Sequence, residues 1–385
     1  MTKSFQELID FVKSLYPGLD SVPLHAPVFQ GNEKEYMLDC IDTTFVSYVG
    51  KYVTQFEEMT AQYTGAKHAI AFVNGTAALH IALEVAGVER GDEVITQSLT
   101  FVATANAIAH SGANPVFVDV DRDSLGMSPH ALSKWLQANI IMDDKTQKAV
   151  NRTTGRTISA IVPMHTFGNP CWIDEIVEIA NKCNIPVIED SAESLGSTYK
   201  QQHTGTFGLA GILSYNGNKT ITTGGGGMII TNDDELAARA RHLSTTAKVP
   251  HRWEFSHDEI GYNYRLNNVS ASIGVAQMEK LDDYLSNKLE TAEAYATFCQ
   301  EQGFDFVHGL NESRTNNWLN TIILENRAMR DEFLAFTNDQ SIMTRPIWRL
   351  MNKLEMYQDC QHDGLENSFW LEDRVVNLPS SVRVI

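Results

Sequence analysis

The sequence predicts an α/β protein, with a large domain on a mostly parallel sheet and a smaller α+β domain behind it. Two observations carry this. Between about residues 66 and 231, short β-rich runs alternate with stretches whose apolar residues recur every three or four positions. That alternation is the mark of repeated strand–helix–strand units, whose sheet is covered on both faces. Past residue 266 the alternation stops and a long helical stretch opens a different pattern. At 385 residues, 43% of them hydrophobic, the chain is long enough for both domains.

The large domain is expected over residues 1–265, including a helical lead over 1–30, and the small one over 266–385. The opening MTKSFQELIDFVKSLYPG sets Phe5, Leu8, Ile9, Val12 and Leu15 at helical spacing with charges between them, so it reads as an amphipathic helix and not a signal peptide. The expected strands are AIAFV (69–73), DEVITQ (92–97), NPVFVDV (114–120), ISAIVPM (158–164), IPVIED (185–190) and GILSYN (211–216). TAALHIALEVAG and WIDEIVEIANKC are expected helices, and the polar stretch 141–157 is expected to be a surface insertion. In the small domain, 269–302 reads as one long helix or a helix pair. A strand (318–324), a helix around MRDEFLAFTN and the segment SIMTRPIW (341–348) follow.

The formal net charge is −18, which repels phosphate backbones and argues against nucleic-acid binding. Five cysteines, odd in number and far apart, form neither a disulfide framework nor a zinc pattern. No His/Cys/Asp group has metal-ligand spacing, and no apolar stretch is long enough to span a bilayer. The expectation is a soluble, cytoplasmic protein with no metal and no membrane partner.

In such sheets ligands gather at the carboxyl ends of the strands. After the first run comes Asn74-Gly75-Thr76 at a helix start, a geometry that binds anions. Phe101 stands just past the second strand, where a ring can stack on a planar ligand. Asp190 ends a strongly apolar strand, and a carboxylate buried there calls for a positive partner. Lys219 follows the sixth run, between Ser214-Tyr215-Asn216 and four consecutive glycines, Gly224 to Gly227. An anion cup, a stacking ring, a carboxylate and a lysine, each at a strand end, are the four contacts that pyridoxal phosphate requires.

The segments NGTAAL, TFVATANAI, IEDSAESLGS, SYNGNKTITTGGGGM and GYNYRLNNVSASIGVAQMEKLD resemble the DegT/DnrJ/StrS sugar aminotransferases, enzymes of pyridoxal-phosphate fold-type I, the aspartate-aminotransferase-like fold. The resemblance runs from about residue 24 to near the end of the chain. It implies that Lys219 holds the cofactor as a Schiff base and shuttles the proton, that Asp190 pairs with the ring nitrogen and that Phe101 stacks on the ring. It also implies that Gly75, Thr76 and Ser214 hold the phosphate, and that Asn263 reaches the phosphate of the neighbouring subunit, making a homodimer with shared active sites. Glu193 stands where many such proteins carry Gln or His near the phenolic oxygen, and the turn reads GGGGM where GEGGM is usual.

LHAPVFQGNEKEYMLDCIDTTFVSYVGKYV, MHTFGNP, TTAKVPHRWEF and TRPIW resemble the subgroup acting on nucleotide-linked 4-keto-6-deoxy-N-acetylhexosamines. The resemblance implies glutamate as donor, pyridoxamine phosphate as the alternate cofactor form, and a 4-amino sugar of bacillosamine, legionaminic acid or perosamine-like type for surface glycans. His165, Lys248, His251, Arg252 and Arg345 are candidates for the substrate, with Arg265 beside them. Three other functions compete: sugar dehydration, for which relatives carry His in place of the anchoring lysine; transamination of another keto sugar or a cyclitol; and a non-catalytic regulatory protein that binds pyridoxal phosphate.

Overall fold

The computed structural model describes residues 2–384. Seven strands form the main sheet: β1 (His68–Phe72), β2 (Glu93–Gln97), β3 (Asn114–Val118), β4 (Ile158–Val162), β5 (Ile188–Asp190), β6 (Ala210–Ser214) and β7 (Gly227–Thr231). Their order across the sheet is β3, β2, β4, β5, β6, β7, β1. The β4–β5 junction is held by the parallel bridges Ile161–Val187 and Met164–Asp190. All strands run parallel except β7, which is antiparallel to both β6 and β1. The six runs expected from the sequence all become strands; the seventh, GMIIT, follows the glycine turn.

Strand alternation divides the sheet's residues between two buried layers. Ile70, Phe72, Ile212 and Ile229 pack with α4 (Gly75–Val85) and α8 (Asp234–Ser244) on one face. Ala69, Ala71, Leu213, Met228 and Ile230 pack with α2 (Glu33–Asp42), α3 (Lys51–Thr64) and α9 (Asn268–Met278) on the other. At the far edge, Ile95, Val116 and Ile161 pack with α6 (Pro129–Asn139) and α7 (Ile173–Asn181).

A second, antiparallel sheet follows, with strands β8 (Asp305–Phe306), β9 (Asn320–Ile323), β10 (Arg345–Pro346) and β11 (Val375–Leu378) in the order β8, β9, β11, β10. The long C-terminal stretch is a helix pair, α9 and α10 (Leu281–Gln302). The lead helix α1 (Thr2–Leu15) does not pack on the large sheet. Its Phe5, Leu8, Ile9 and Val12 share a core with Tyr295, Ile322, Phe333 and Val376. Helical spacing shows that a face is buried but not against which partner.

The stretch 141–157 is more than a surface insertion. Ile140–Met142 and Ala149–Asn151 form a hairpin. Its Asn151 is fully buried, donating to Glu93 Oε2 at 2.6 Å and Gln361 Oε1 at 2.7 Å. Its polar composition hid a buried, fully paired amide. All five cysteines are free thiols, and no helix among the described residues is long and apolar enough to cross a membrane.

Candidate active site

The first wall of the site is the turn from β1 into α4. Asn74 caps the helix, its Oδ1 accepting from Ala77 N at 2.8 Å. The first intrahelical bond runs from Ala78 N to Asn74 O, so the amides of Gly75 and Thr76 lie ahead of the ladder. Ser214, ending β6, faces them. A Cβ on Gly75 would stand 3.2 Å from the Ser214 Cβ, closer than packing allows without a shift. Gly227 does a similar service below, where a Cβ would meet Asn74 O at 2.3 Å. Small residues thus draw a helix start, a hydroxyl and a strand into one cup whose partial positive charge suits a phosphate.

Asp190 ends β5, in the middle of the sheet, and is 5% exposed. Its Oδ2 accepts from Thr104 Oγ1 at 2.6 Å and its Oδ1 from Ala192 N at 3.1 Å. Thr104 lies in the first turn of α5 (Val102–His110) and also bonds Thr100 at 2.8 Å. Both carboxylate oxygens are therefore oriented before any ligand arrives, which the charge of a protonated ring nitrogen can exploit.

Lys219 closes the site. Its Nζ lies 3.1 Å from Glu193 Oε1 and 4.1 Å from the centre of the Trp318 ring. The other Glu193 oxygen accepts from Phe167 N at 2.9 Å. Burial pushes the Glu193 carboxyl up to about 7; the Lys219 cation opposes the rise and the Asp190 charge adds to it. An unfolded glutamate titrates near 4.5. Between those two values the unfolded chain gives up the Glu193 proton more readily than the folded one, so rising pH favours unfolding. Glu193→Gln removes this term. Across pH 4.5 to 7 the cofactor-free wild type should lose stability relative to the variant, by on the order of 3 kcal/mol. Parallel melting curves of the two proteins across that range would refute it.

Gly75, Thr76, Phe101, Asp190, Glu193, Ser214 and Lys219 line one cavity of about 370 Å³. Phe101, half-exposed at 48%, stands at its mouth, 6.2 Å between ring centres from Trp348. Sequence reasoning missed Thr104, Met164, Trp318 and Trp348 on its walls. Thr104 had a signal, since it is one helical turn past Phe101. The two tryptophans had none, because they come from the C-terminal half of the chain.

The remaining candidates fall outside the cavity lining. His165 is fully buried behind the site. Its Nε2 meets Glu189 Oε2 at 3.0 Å, while its Nδ1 accepts from Cys171 N at 3.2 Å. The cause is strand alternation: Asp190 faces the cavity and Glu189 the opposite side, where it also accepts from the amides of Gly205, Phe207 and Gly208. Arg265 is buried against Glu57 at 2.7 Å. Arg345 is exposed and bonded to Asn338 Oδ1 at 2.8 Å. Lys248, His251 and Arg252 belong to a hairpin, Lys248–Val249 with Ser256–His257, and Lys248 Nζ lies over the Phe255 ring at 4.1 Å. Asn263 is exposed. Spacing had given no metal ligand set, yet His242, Asp258 and Glu259 meet at the surface. Arg239 already pairs with that Glu259 carboxylate.

A lysine amine, a pre-oriented buried carboxylate and an anion cup around one cavity fit pyridoxal phosphate in each of its functional groups. On this sheet they define the class of the protein, a pyridoxal-phosphate-dependent aminotransferase. The chain belongs to the DegT/DnrJ/EryC1/StrS aminotransferase family, whose profile matches residues 28–384. It is 38% identical over 364 residues to the GDP-perosamine synthase of Escherichia coli O157:H7, covering 93% of each chain. It is 37% identical over 352 residues to the GDP-perosamine synthase of Caulobacter vibrioides, covering 90% of each. Among solved structures it superposes on the aminotransferase TlmJ of Streptoalloteichus hindustanus with a TM-score of 0.84 at 25% identity, covering 94% of this chain and 93% of that one.

Proposed function

We propose that this protein transfers an amino group from glutamate to the C4 ketone of a nucleotide-linked 4-keto-6-deoxy sugar, releasing 2-oxoglutarate and a 4-amino sugar for surface glycans. The observation that carries the reading is the cavity that holds the Lys219 amine together with the Asp190 carboxylate. Bound pyridoxal phosphate supplies the electron sink. The chain supplies the rest. The helix start at Gly75 and Thr76 and the Ser214 hydroxyl bind the phosphate. Asp190, fixed by Thr104 and Ala192, holds the proton on the ring nitrogen. Phe101 covers the ring. Lys219 anchors the cofactor and, when free, its Nζ takes the proton from the donor's α carbon and returns it on the acceptor side. Glu193 accepts from Lys219 when charged and donates toward the phenolic oxygen when protonated.

The proposal includes a cytoplasmic homodimer. Phe45, Val49, Trp253, Phe255 and Ile260 are 59%, 66%, 69%, 80% and 87% exposed, apolar side chains that a second copy would cover. A second copy on this surface would let Asn263 reach the neighbouring phosphate. The same copy would bring Lys248, His251 and Arg252 to the neighbour's substrate diphosphate, with Arg345 as a further contact. The reading keeps the division of the chain near residue 266, with two exchanges at the seam: α1 lies on the C-terminal sheet and α9 on the large one.

For the acceptor, the resemblance of segments such as MHTFGNP and TRPIW to the subgroup acting on such sugars supports an N-acetylhexosamine. A second reading, a GDP-linked hexose without the acetamido group, is supported by the relatives that make GDP-perosamine. A panel of nucleotide-linked 4-keto-6-deoxy sugars, with glutamate as donor and product mass as readout, separates the two. UDP-linked 4-keto-6-deoxy-N-acetylglucosamine should be aminated on the first reading and GDP-linked 4-keto-6-deoxymannose on the second. Amination of neither, with a bound-cofactor spectrum unchanged by glutamate, would favour the regulatory reading and refute the enzyme proposal.

A further inference from the structure

We infer that Trp318 is the positioning residue for the Lys219 amine, its own carbonyl held from behind by the buried Lys288. The inference rests on the reading of Lys219 as the anchoring lysine. Trp318 arrives from the C-terminal half of the chain, two residues before β9, and is 5% exposed. It holds the lysine loop twice. The indole face lies 4.1 Å from Lys219 Nζ, and the indole Nε1–H donates to the carbonyl of Asn218 at 2.6 Å. Asn218 immediately precedes Lys219, so one ring fixes both the base of the lysine and its tip. A desolvated cation over an indole face is held by the ring's quadrupole, and Trp is the strongest of the aromatic partners.

Trp318 is itself over-determined. Its amide donates to Asn316 Oδ1 at 2.9 Å. The Asn316 amide nitrogen in turn bonds the carbonyls of Glu193 and Leu195 at 2.8 and 2.9 Å and the Thr220 hydroxyl at 3.2 Å. The Trp318 carbonyl accepts from Lys288 Nζ at 3.3 Å. Lys288 lies on α10 and is 1% exposed. No carboxylate pairs with it among the described residues. Its other two contacts are the Ser380 carbonyl and, at 3.0 Å, His25 Nε2. Three acceptors match the three donors of an ammonium group. Burying an unpaired charge is expensive, and burial pushes the Lys288 amine down to about 7; its contacts tie the Trp318 loop to His25 near the start of the chain and Ser380 near its end.

The test uses full-length protein, first stripped of cofactor. Cofactor uptake is followed by absorbance, and borohydride trapping with peptide mapping measures the fraction fixed at Lys219. In Trp318→Leu, uptake and kcat should each fall about tenfold, a change of about 1.4 kcal/mol. KM for the nucleotide sugar should stay within about twofold, and the deuterium effect with α-deuterated glutamate should grow. Trp318→Phe keeps a π face but loses the N–H, and should fall between Leu and wild type. A folded Trp318→Leu protein with wild-type trapping and isotope effect would overturn the inference, as would loss confined to KM. If Trp318→Leu melts too readily to assay, the Phe variant decides alone, and wild-type values in it overturn the Asn218 contact. Lys219→Ala serves as control. Trapping retained there would overturn the anchor reading and this inference together, whereas trapping lost there and unchanged in both Trp318 variants overturns this inference alone.

Discussion

Lys219→Ala should lose at least about 10³-fold in kcat, the combined scale of a missing covalent anchor and a missing general acid–base. The cavity explains why nothing takes over. Among the described residues lining it, Lys219 is the one basic side chain. Its loss also strands Glu193, 3% exposed, without the cation that opposes its raised titration, so that carboxyl would shift further toward the protonated form. The checks are single-turnover kinetics with glutamate and the absorbance of the protein-bound cofactor. Glutamate-dependent turnover within tenfold of wild type would remove Lys219 from the chemistry.

Asp190→Asn should keep the fold and lose kcat by about 10²- to 10⁴-fold. The amide matches the carboxylate in size, and its single oxygen can still accept from Thr104 or from the Ala192 amide. What disappears is the negative charge that, on the proposed reading, would face the ring nitrogen. A neutral partner leaves that nitrogen unprotonated, and the bound ring then draws electrons less strongly. The site is buried at the centre of the sheet, so water replaces the lost charge poorly. The expected signature is a normal melting temperature, cofactor still fixed at Lys219, and slow proton removal from α-deuterated glutamate. A variant within about threefold of wild type would mean that the carboxylate stabilises structure and not the reaction.

The strand-end residues were legible in the sequence for a definite reason. In a parallel sheet the side chains that face a ligand cavity end an apolar run or follow it within a few positions, and the run is visible. Asp190 and Ser214 end their strands, and Gly75, Thr76, Phe101 and Lys219 follow theirs by three to five residues. The same reasoning failed at His165, which also follows a strand end. There the relevant fact was which face of β5 each carboxylate took, and a shift of one residue decides between the cavity and the core. It failed at Asn151 because a polar residue in a polar stretch carries no sign that its amide is buried. The fate of the α1 face was equally hidden, since amphipathic periodicity names a buried side without naming what covers it.

The sequence alone therefore determined six of the seven main-sheet strands and the residues at their carboxyl ends, because an apolar run and the turn that follows it are local features. The tertiary structure decided what no local pattern contains: that Thr104 orients Asp190, that Glu193 meets Lys219, and that Trp318 comes about 100 positions along the chain to cover the amine. Those pairings follow from packing between elements far apart in the chain. Their energies come from burial and from satisfied donors in the folded state, so the residue types give no sign of them until the chain has folded.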